Sequence, residues 1–395
     1  MQSILEQPIP DSEDHRRRER SSFLAKVLVA VLFWFLNLGY LGVNLFDMKP
    51  GSIMLFRVAA LVAIAGLLAR GVEIRKGERL LFVYLLLMAI GALTSSLSLN
   101  MVFILLVCFA VRSIQIRSLA STSTFVLGAT ILLVLALIQF GYVENGTDVV
   151  GIAAELGDDE RTRMTFGFRN VNAFSGVVTA FCLLLMFSGK RVVLRAASAV
   201  MVSYIFYKYT DSRTMLLATC SFIVFSLVFL IFVAHRRLFY IVSVVLIAVP
   251  IALSILAATV LDKFPLIDLI FSGRFSFMAE YLNSLPFYRV LIGGVDPPEA
   301  LTIDNAFALM VGAFGVPFMA YLVWRIFCVI RECALVRDYR TYSFVLSFWL
   351  FSFSESNILR PESLICLVFW AIVFNQNLQK ITTREEGEIY EGCTG

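Results

Sequence analysis

The sequence predicts an all-α integral membrane protein of about 12 transmembrane helices with two long outer loops. Apolar residues make up 59% of its 395 positions, whereas charged residues make up only 16%, well below the roughly 25% typical of soluble domains. The apolar residues also fall in long runs between short basic segments. A soluble protein must keep its outside polar, but lipid accepts apolar side chains on every face of a helix.

The candidate spans are apolar runs long enough to cross about 30 Å of hydrocarbon. They lie at residues 23–43, 51–69, 80–97, 100–111, 119–141, 171–189, 193–209, 214–234, 238–258, 303–327, 341–354 and 362–377. The fourth, eleventh and twelfth are short, and each is interpreted as tilted, re-entrant or wrongly bounded. The membrane domain therefore covers residues 23–377, between a basic tail at 1–22 and a second tail at 378–395.

Lysine and arginine residues are concentrated in every second connection between these spans. Because basic residues favour the cytoplasmic side of a membrane, both chain ends are expected in the cytoplasm. The long loops at 141–170 and 258–302 then lie on the outer side. The net charge of +4 is too weak to indicate nucleic acid as a partner. The sequence contains no metal-ligand cluster or phosphate-binding loop motif, so neither a metal nor another cofactor is expected.

The outer segments nevertheless contain a set of arginines, against the positive-inside trend. They are Arg161, Arg163, Arg169, Arg213, Arg274, Arg289 and Arg360. A guanidinium group is planar, always charged and able to bind phosphate oxygens in pairs, so the group as a whole predicts a site for a lipid-linked phosphate. The alternative is that each arginine pairs with a neighbouring carboxylate such as Asp211 or Glu280.

Two of these arginines stand beside predicted helix starts. The segment from Arg163 leads into the sixth span through Asn170 and Asn172. These amides either cap the helix or face a polar ligand together with Arg163. Between the seventh and eighth spans, Arg213 falls in the first turn of a helix, where it opposes the helix dipole unless Asp211 or an anionic ligand offsets it.

The second outer loop and the tenth span carry further candidates. Arg274 opens a stretch, ending at Leu285, whose apolar residues recur at helical spacing, which predicts an amphipathic helix with Glu280 two turns in. Its apolar stripe either lies at the membrane interface or packs on the membrane domain. Asp304 stands at the start of the tenth span, as a helix N-cap or as a general base.

Two further sites involve charges close to the membrane. Glu355 and Arg360 occupy a short outer turn between the eleventh and twelfth spans. Arg57 lies within the second span, about two turns from its outer end. A charge at such a position is costly and is usually paired or functional, although a long side chain can also reach the interface.

Taken in order, these patterns resemble the bacterial O-antigen polymerase and O-antigen ligase superfamily, the Wzy-like and WaaL-like proteins. The matching positions are an R-x-x-G-F-x-N-P-N-like segment (Arg163, Gly167, Asn170, Asn172), a Ser-Arg turn (Ser212, Arg213), a Gly-Arg pair (Gly273, Arg274) and a glycine turn followed by a polar pair (Gly294, Asp304, Asn305). The resemblance covers residues 160–330, whereas the first half of the chain matches only in hydropathy. Val171 replaces the expected proline, and Asp304 stands where the ligase branch has a histidine. With no histidine predicted outside, the polymerase branch is favoured.

This resemblance implies a GT-C-like glycosyltransferase of the bacterial cytoplasmic membrane, acting without metal or other cofactor. Glycan would pass from undecaprenyl pyrophosphate to a sugar hydroxyl of a lipid-linked repeat unit. The expected catalytic residues are Asp304 as base with Arg274 and Arg213 for the leaving group. The expected substrate-binding residues are Arg163, Arg169, Asn170, Asn172, Arg289, Glu280, Glu355 and Arg360. The implied partners include a chain-length regulator and a flippase of the same pathway, besides membrane lipid.

Two other functions fit the same sequence. One is an O-antigen ligase, which transfers finished glycan to a different acceptor. The other is a transporter such as a lipid-linked sugar flippase, in which charged residues lie near the membrane midplane, often in broken helices of repeated halves. Most spans here are free of charge, and the sequence shows no convincing internal repeat.

Overall fold

The structure is a computed structural model that describes residues 12–49, 51–69, 88, 90–91, 95–149, 162–260, 263–264, 268, 274–298 and 303–374. In this part of the chain the fold is almost wholly helical, as the sequence predicts. The predictions for the tail at 378–395, for most of the third span at 80–97, for Arg161 and for Gly273 lie outside the described residues.

Most helices of the first two thirds of the chain match the predicted spans. They are α1 (Ser12–Asn44), α2 (Gly51–Leu68), α3 (Ser96–Ala110), α4 (Ile116–Gln139), α5 (Val171–Ser188), α6 (Val192–Thr210), α7 (Arg213–Phe232) and α8 (Arg236–Thr259). Six described helices are long and apolar enough to cross a membrane, namely α1 from Phe23 onward, α2, α4, α5, α7 and α8. These lengths and compositions are those of membrane-spanning helices and are consistent with a helical membrane protein.

The last third of the chain is built from shorter helices. They are α9 (Arg274–Ser284), α10 (Phe287–Ile292), α11 (Ala306–Phe314), α12 (Val316–Val336), α13 (Tyr339–Phe351) and α14 (Leu364–Phe374), with a 3-10 helix (Ser356–Leu359) between the last two. The described extents of α13 and α14 span about 20 and 17 Å at 1.5 Å per residue. Neither extent crosses about 30 Å of hydrocarbon by itself.

Both predicted outer loops contain local structure. The first loop holds a two-stranded antiparallel ribbon of β1 (Thr147–Val149) and β2 (Thr162–Met164). In the second loop, the predicted amphipathic helix forms as α9, which packs against α8 and α11. Its Phe275, Met278 and Tyr281 are buried. The apolar stripe therefore packs on the protein, which was the second of the two interpretations.

The tenth predicted span, 303–327, is not one continuous helix. It breaks at Gly315, where α11 ends and α12 begins. The freed carbonyl groups at the end of α11 are satisfied by the preceding loop, because Gly294 donates to Ala313 at 2.9 Å and Val295 donates to Gly312 at 3.0 Å. A helix break inside apolar surroundings needs such substitute partners.

Gly315 is required by this break. Its φ is +80°, which L residues rarely adopt, and a Cβ there would lie 2.3 Å from the backbone oxygen of Leu291. We therefore expect Gly315→Ala to destabilise the purified protein by about 1–3 kcal/mol or more, through backbone strain and displacement of α10. Thermal unfolding in detergent measures this, with Gly51→Ala as the matched control, because a Cβ at Gly51 meets nothing within 4 Å. Equal unfolding temperatures for both variants would contradict the expectation.

The centre of the fold is formed by α5, α13 and α14. All described residues of α14 are buried, and the indole of Trp370 donates to the carbonyl of Ile358 at 2.8 Å. At the opposite end of α13, Arg117 forms an ion pair with Asp338 at 2.8 Å. Arg325 is buried in α12 and donates to the Val373 carbonyl. These polar contacts fix the short helices inside the bundle.

Candidate functional site

Three elements from distant parts of the sequence meet at Arg274. Its guanidinium Nη2 lies 3.2 Å from the Oδ2 of Asp304, and its Nη1 donates to the Ser354 carbonyl at 3.1 Å. Arg274 is the first residue of α9, Asp304 precedes α11 and Ser354 follows α13. The structure thus brings together two of the three predicted catalytic residues, Arg274 and Asp304.

Asp304 does not cap α11. Capping was the alternative to a chemical role for this residue. The cap is Asn305, whose side-chain oxygen accepts from the backbone N–H of Ala308 at 2.9 Å. The Asn305 amide also donates to the Ser254 hydroxyl and to the Phe353 carbonyl, each at 2.9 Å. Because Asn305 satisfies the helix start, the Asp304 carboxylate is left for Arg274.

The position of Arg274 at a helix start is offset by a carboxylate that the sequence analysis did not single out. Asp268 is buried and accepts from the backbone N–H groups of Phe275 at 2.9 Å and Ser276 at 3.2 Å. A carboxylate at a helix N-terminus is favourable. It therefore compensates for placing a cation in the first turn of α9.

A cavity of about 100 Å³ opens beside the Arg274–Asp304 pair. It is lined by Thr214, Arg274, Phe275, Met278, Ile303, Asp304, Asn305, Phe353 and Ser354. We call it the Arg274 cavity. Its volume is well above the roughly 10–15 Å³ that one water molecule needs, so it can hold a small group such as a phosphate. Its walls are mostly apolar, which strengthens the electrostatic interactions of the two charged side chains.

A second carboxyl group, that of Glu355, lies next to this pair. Burial raises the pKa of Glu355 to about 8, with a further rise from the negative charge of Asp304, while the cations Arg274 and Arg360 oppose the shift. Arg360 is exposed, and its guanidinium donates to the Ser356 hydroxyl at 3.3 Å. The predicted residues Glu355 and Arg360 therefore belong to the same charged group as Arg274 and Asp304.

Arg163 and Arg213 lie at a neighbouring helix junction. Arg163, on β2, forms an ion pair with Asp211 at 3.4 Å. This agrees with the alternative that each outer arginine pairs with a neighbouring carboxylate. The Nε of Arg163 is nevertheless buried without a hydrogen-bond partner among the described residues. Asp211 ends α6 with φ +46°, and the exposed Arg213 begins α7. The next residue, Thr214, lines the Arg274 cavity. Arg213 is thus joined to the cavity through the start of α7.

The amide of Asn170, just before the sixth predicted span, has a structural role. Asn170 caps α5, and its side chain accepts from the backbone N–H of Ala173 at 2.8 Å, as the capping interpretation predicted. Asn172 is half-buried in the first turn of α5. The side chain of Arg169 is exposed, while its backbone N–H donates to the Asn44 carbonyl at 2.6 Å. No described contact brings these three side chains to the Arg274 cavity.

Arg289 and Glu280 are also apart from the Arg274–Asp304 pair in the described contacts. Arg289 donates to the Gly293 carbonyl at 3.2 Å, within its own short helix and turn, and lies 5.4 Å from the ring centroid of Tyr288. Glu280 is exposed on α9. The structure therefore gathers Arg274, Asp304, Glu355 and Arg360 at one place, but not these two residues.

The intramembrane arginine is paired, and its partner was missed by sequence reasoning. Arg57 Nε lies 2.6 Å from Glu362 Oε1, with 14% and 8% of the two side chains exposed. The Arg57 guanidinium also lies 5.9 Å from the ring centroid of Phe103. The only sequence signal for this ion pair was the intramembrane charge of Arg57, because nothing in the sequence indicates which acidic residue would face it.

Asp296 is a third carboxylate that the sequence analysis did not identify. It accepts from the Ser95 hydroxyl and from the backbone N–H of Ser96, both at 2.6 Å. These contacts tie the second predicted outer loop to the start of α3. They satisfy the free N–H groups of that helix.

Comparisons of the whole chain with protein families, with curated proteins and with solved structures find no match. Within the described residues, no group of three or more His, Cys, Asp or Glu side chains is arranged to hold a metal ion. The chemical capacity of the site therefore follows from its own side chains: cations, one ion-paired carboxylate and one buried carboxyl beside a small cavity.

Proposed function

We propose that this chain is a glycosyltransferase of the bacterial cytoplasmic membrane that polymerises lipid-linked oligosaccharide repeat units at the outer face. The observation that carries the proposal is the Arg274–Asp304 ion pair in the wall of the Arg274 cavity. A cation and a carboxylate at one small, mostly apolar cavity offer both requirements of this chemistry. The cation stabilises a departing diphosphate, and the carboxylate accepts a proton.

In the proposed reaction, a hydroxyl oxygen of the acceptor repeat unit attacks the anomeric carbon of the donor glycan. The bond between that carbon and the pyrophosphate oxygen breaks, and undecaprenyl pyrophosphate leaves with the bonding electron pair. Asp304 takes the hydroxyl proton, while Arg274 and Arg213 face the negative charge of the leaving group. The step balances without a metal or a redox partner.

The size of the Arg274 cavity supports binding of one part of the substrate inside it and of the rest outside it. At about 100 Å³ it suits a phosphate of the lipid carrier, while the sugars stay outside it. The ion-paired Arg163 and the exposed Arg213, at the α6–α7 junction, then provide further positive charge close to the cavity. On this view both chain ends are cytoplasmic, and a chain-length regulator and a flippase act with this protein.

The flippase alternative gains from one feature of the fold. The break at Gly315 divides a predicted span into α11 and α12, and broken helices are typical of transporters. The ligase alternative uses the same residues with a different acceptor. The polymerase is favoured because it explains why a carboxylate, that of Asp304, lies beside Arg274 at the cavity.

Deletion of the gene, followed by sizing of the cell's glycans on a gel, tests the proposal. Loss of a polymerase is expected to leave single repeat units but no ladder of longer glycans, and the wild-type chain restores the ladder. Loss of a flippase leaves neither, and loss of a ligase leaves polymer that is not attached to its final acceptor. An unchanged ladder in the deletion strain would refute a polymerase role.

A further inference from the structure

Glu355 lies in a turn that is bound to an arginine on each side. The carbonyl of the preceding residue, Ser354, accepts from Arg274 at 3.1 Å. The hydroxyl of the following residue, Ser356, accepts from Arg360 at 3.3 Å. The backbone of the turn is fixed as well, because the Glu355 N–H donates to the Phe351 carbonyl at 3.1 Å. The turn that carries Glu355 is thus bound to a cation on each side.

The charged groups that face Glu355 are Asp304, Arg274 and Arg360. Only 8% of Glu355 is exposed, so ionising it beside the Asp304 carboxylate is unfavourable. Asp304 has Arg274 as its ion-pair partner, whereas Glu355 has no such partner within 4.0 Å among the described residues. Of the two carboxyls, Glu355 is therefore the one that keeps a proton.

We propose that Glu355 sets the charge of the site: the Arg274 cavity binds a diphosphate while Glu355 is protonated, and ionisation of Glu355 weakens that binding. With Glu355 neutral, the two arginines and Asp304 leave a net positive charge, which attracts an anion. With Glu355 ionised, the charges of these four groups cancel. The inference rests on the proposed function and adds to it the control of diphosphate binding by a proton.

The competing role for Glu355 is that of general base. The Arg274 cavity is lined by Asp304 and Ser354 and not by Glu355, so Asp304 is the carboxylate that faces a substrate bound at the cavity. A group with a pKa of about 8 is also about nine-tenths protonated at pH 7. The two roles predict opposite effects of Glu355→Gln on polymerising activity. Glutamine imitates the neutral carboxyl, so activity is kept if Glu355 only sets the charge. Glutamine cannot accept a proton, so activity is lost if Glu355 is the base.

The test is binding of inorganic pyrophosphate to the purified full-length protein, measured by calorimetry between pH 7 and pH 9. If only the protein with neutral Glu355 binds well, the wild-type Kd rises about tenfold over this range as the competent fraction falls. Glu355→Gln is expected to bind at pH 9 nearly as tightly as wild type does at pH 7. Glu144→Gln, which changes an exposed carboxyl in the other predicted outer loop, serves as the matched control and should follow wild type.

Three results would overturn the inference. If wild type binds pyrophosphate but Glu355→Gln shows the same pH dependence, the inference fails while the diphosphate site stands. If wild type binds pyrophosphate while Glu355→Gln does not bind it at any pH, a neutral side chain at this position is not sufficient for binding, and the inference fails. If wild type itself binds no pyrophosphate and no lipid diphosphate, the proposed function fails and the inference with it. Weak pyrophosphate binding with strong lipid diphosphate binding shows that the lipid carrier is the ligand, and the same pH series is then run on it.

Thermal unfolding provides a second readout that does not depend on any ligand. A raised folded-state pKa means that the folded protein holds the proton more tightly than the unfolded chain does. Wild type should therefore be most stable, relative to Glu355→Gln, below the ordinary pKa of 4.5, and should lose that advantage progressively as pH rises to about 8. A difference in unfolding temperature that stays constant across this range would contradict the protonated state of Glu355.

Discussion

Arg274→Ala is expected to abolish the glycan ladder while the protein remains in the membrane. The change removes the ion pair with Asp304 at 3.2 Å and the hydrogen bond to Ser354. It also removes the donors that, in the proposed reaction, face the leaving diphosphate. Loss of one such donor commonly lowers an enzymatic rate by about 10² to 10³, which is enough to leave single repeat units in a gel assay. Complementation of the deletion strain with the variant measures this.

The controls separate charge from geometry at this position. Arg274→Lys keeps a cation but loses the planar pair of donors, so it should restore only a shortened or faint ladder. Lys208→Ala removes an exposed cation that lies near the end of α6 and should leave the ladder intact. A normal ladder from Arg274→Ala, with membrane levels equal to wild type, would show that this arginine does not handle the leaving group.

Glu362→Ala is expected to destabilise the protein by about 3–5 kcal/mol, the usual cost of leaving one partner of a buried ion pair alone. The Arg57 side chain is only 14% exposed and would keep an uncompensated charge between α2 and the start of α14. Thermal or denaturant unfolding of the purified protein in one detergent measures the loss.

The double variant Arg57→Met with Glu362→Leu decides whether the loss comes from the unpaired charge. Replacing both partners by apolar side chains of similar volume is often neutral or stabilising. The double variant should therefore recover most of the stability that Glu362→Ala loses. If the double variant is as unstable as the single variant, the contact matters for packing and not for charge compensation.

Local sequence signals predicted the features that depend on neighbouring residues. The cap at Asn170 and the amphipathic α9 follow from residue types and spacing within one or two helical turns, and both form as predicted. Gly294, which the resemblance places in a glycine turn, likewise has a positive φ angle. Such features are fixed by short-range backbone geometry, which a single sequence contains.

Features that depend on tertiary contact could not be predicted. Hydropathy is uniform across Gly315, so the break between α11 and α12 was indicated only by a glycine followed closely by Pro317. Asn305, rather than Asp304, became the cap because the Asn305 amide also binds Ser254 and Phe353, which lie far away in sequence. The partner of Arg57 is 305 residues distant. A single sequence gives no signal for such pairs.

The most direct test of the central claim uses the purified protein in liposomes with undecaprenyl-pyrophosphate-linked repeat units as the only substrate. Mass spectrometry would follow glycan length and released undecaprenyl pyrophosphate together. The account predicts that glycans lengthen by whole repeats, that one carrier is released for each bond formed, and that Asp304→Asn and Arg274→Ala stop both. Glycans that keep their original length while the lipid-linked substrate merely changes leaflet would contradict it.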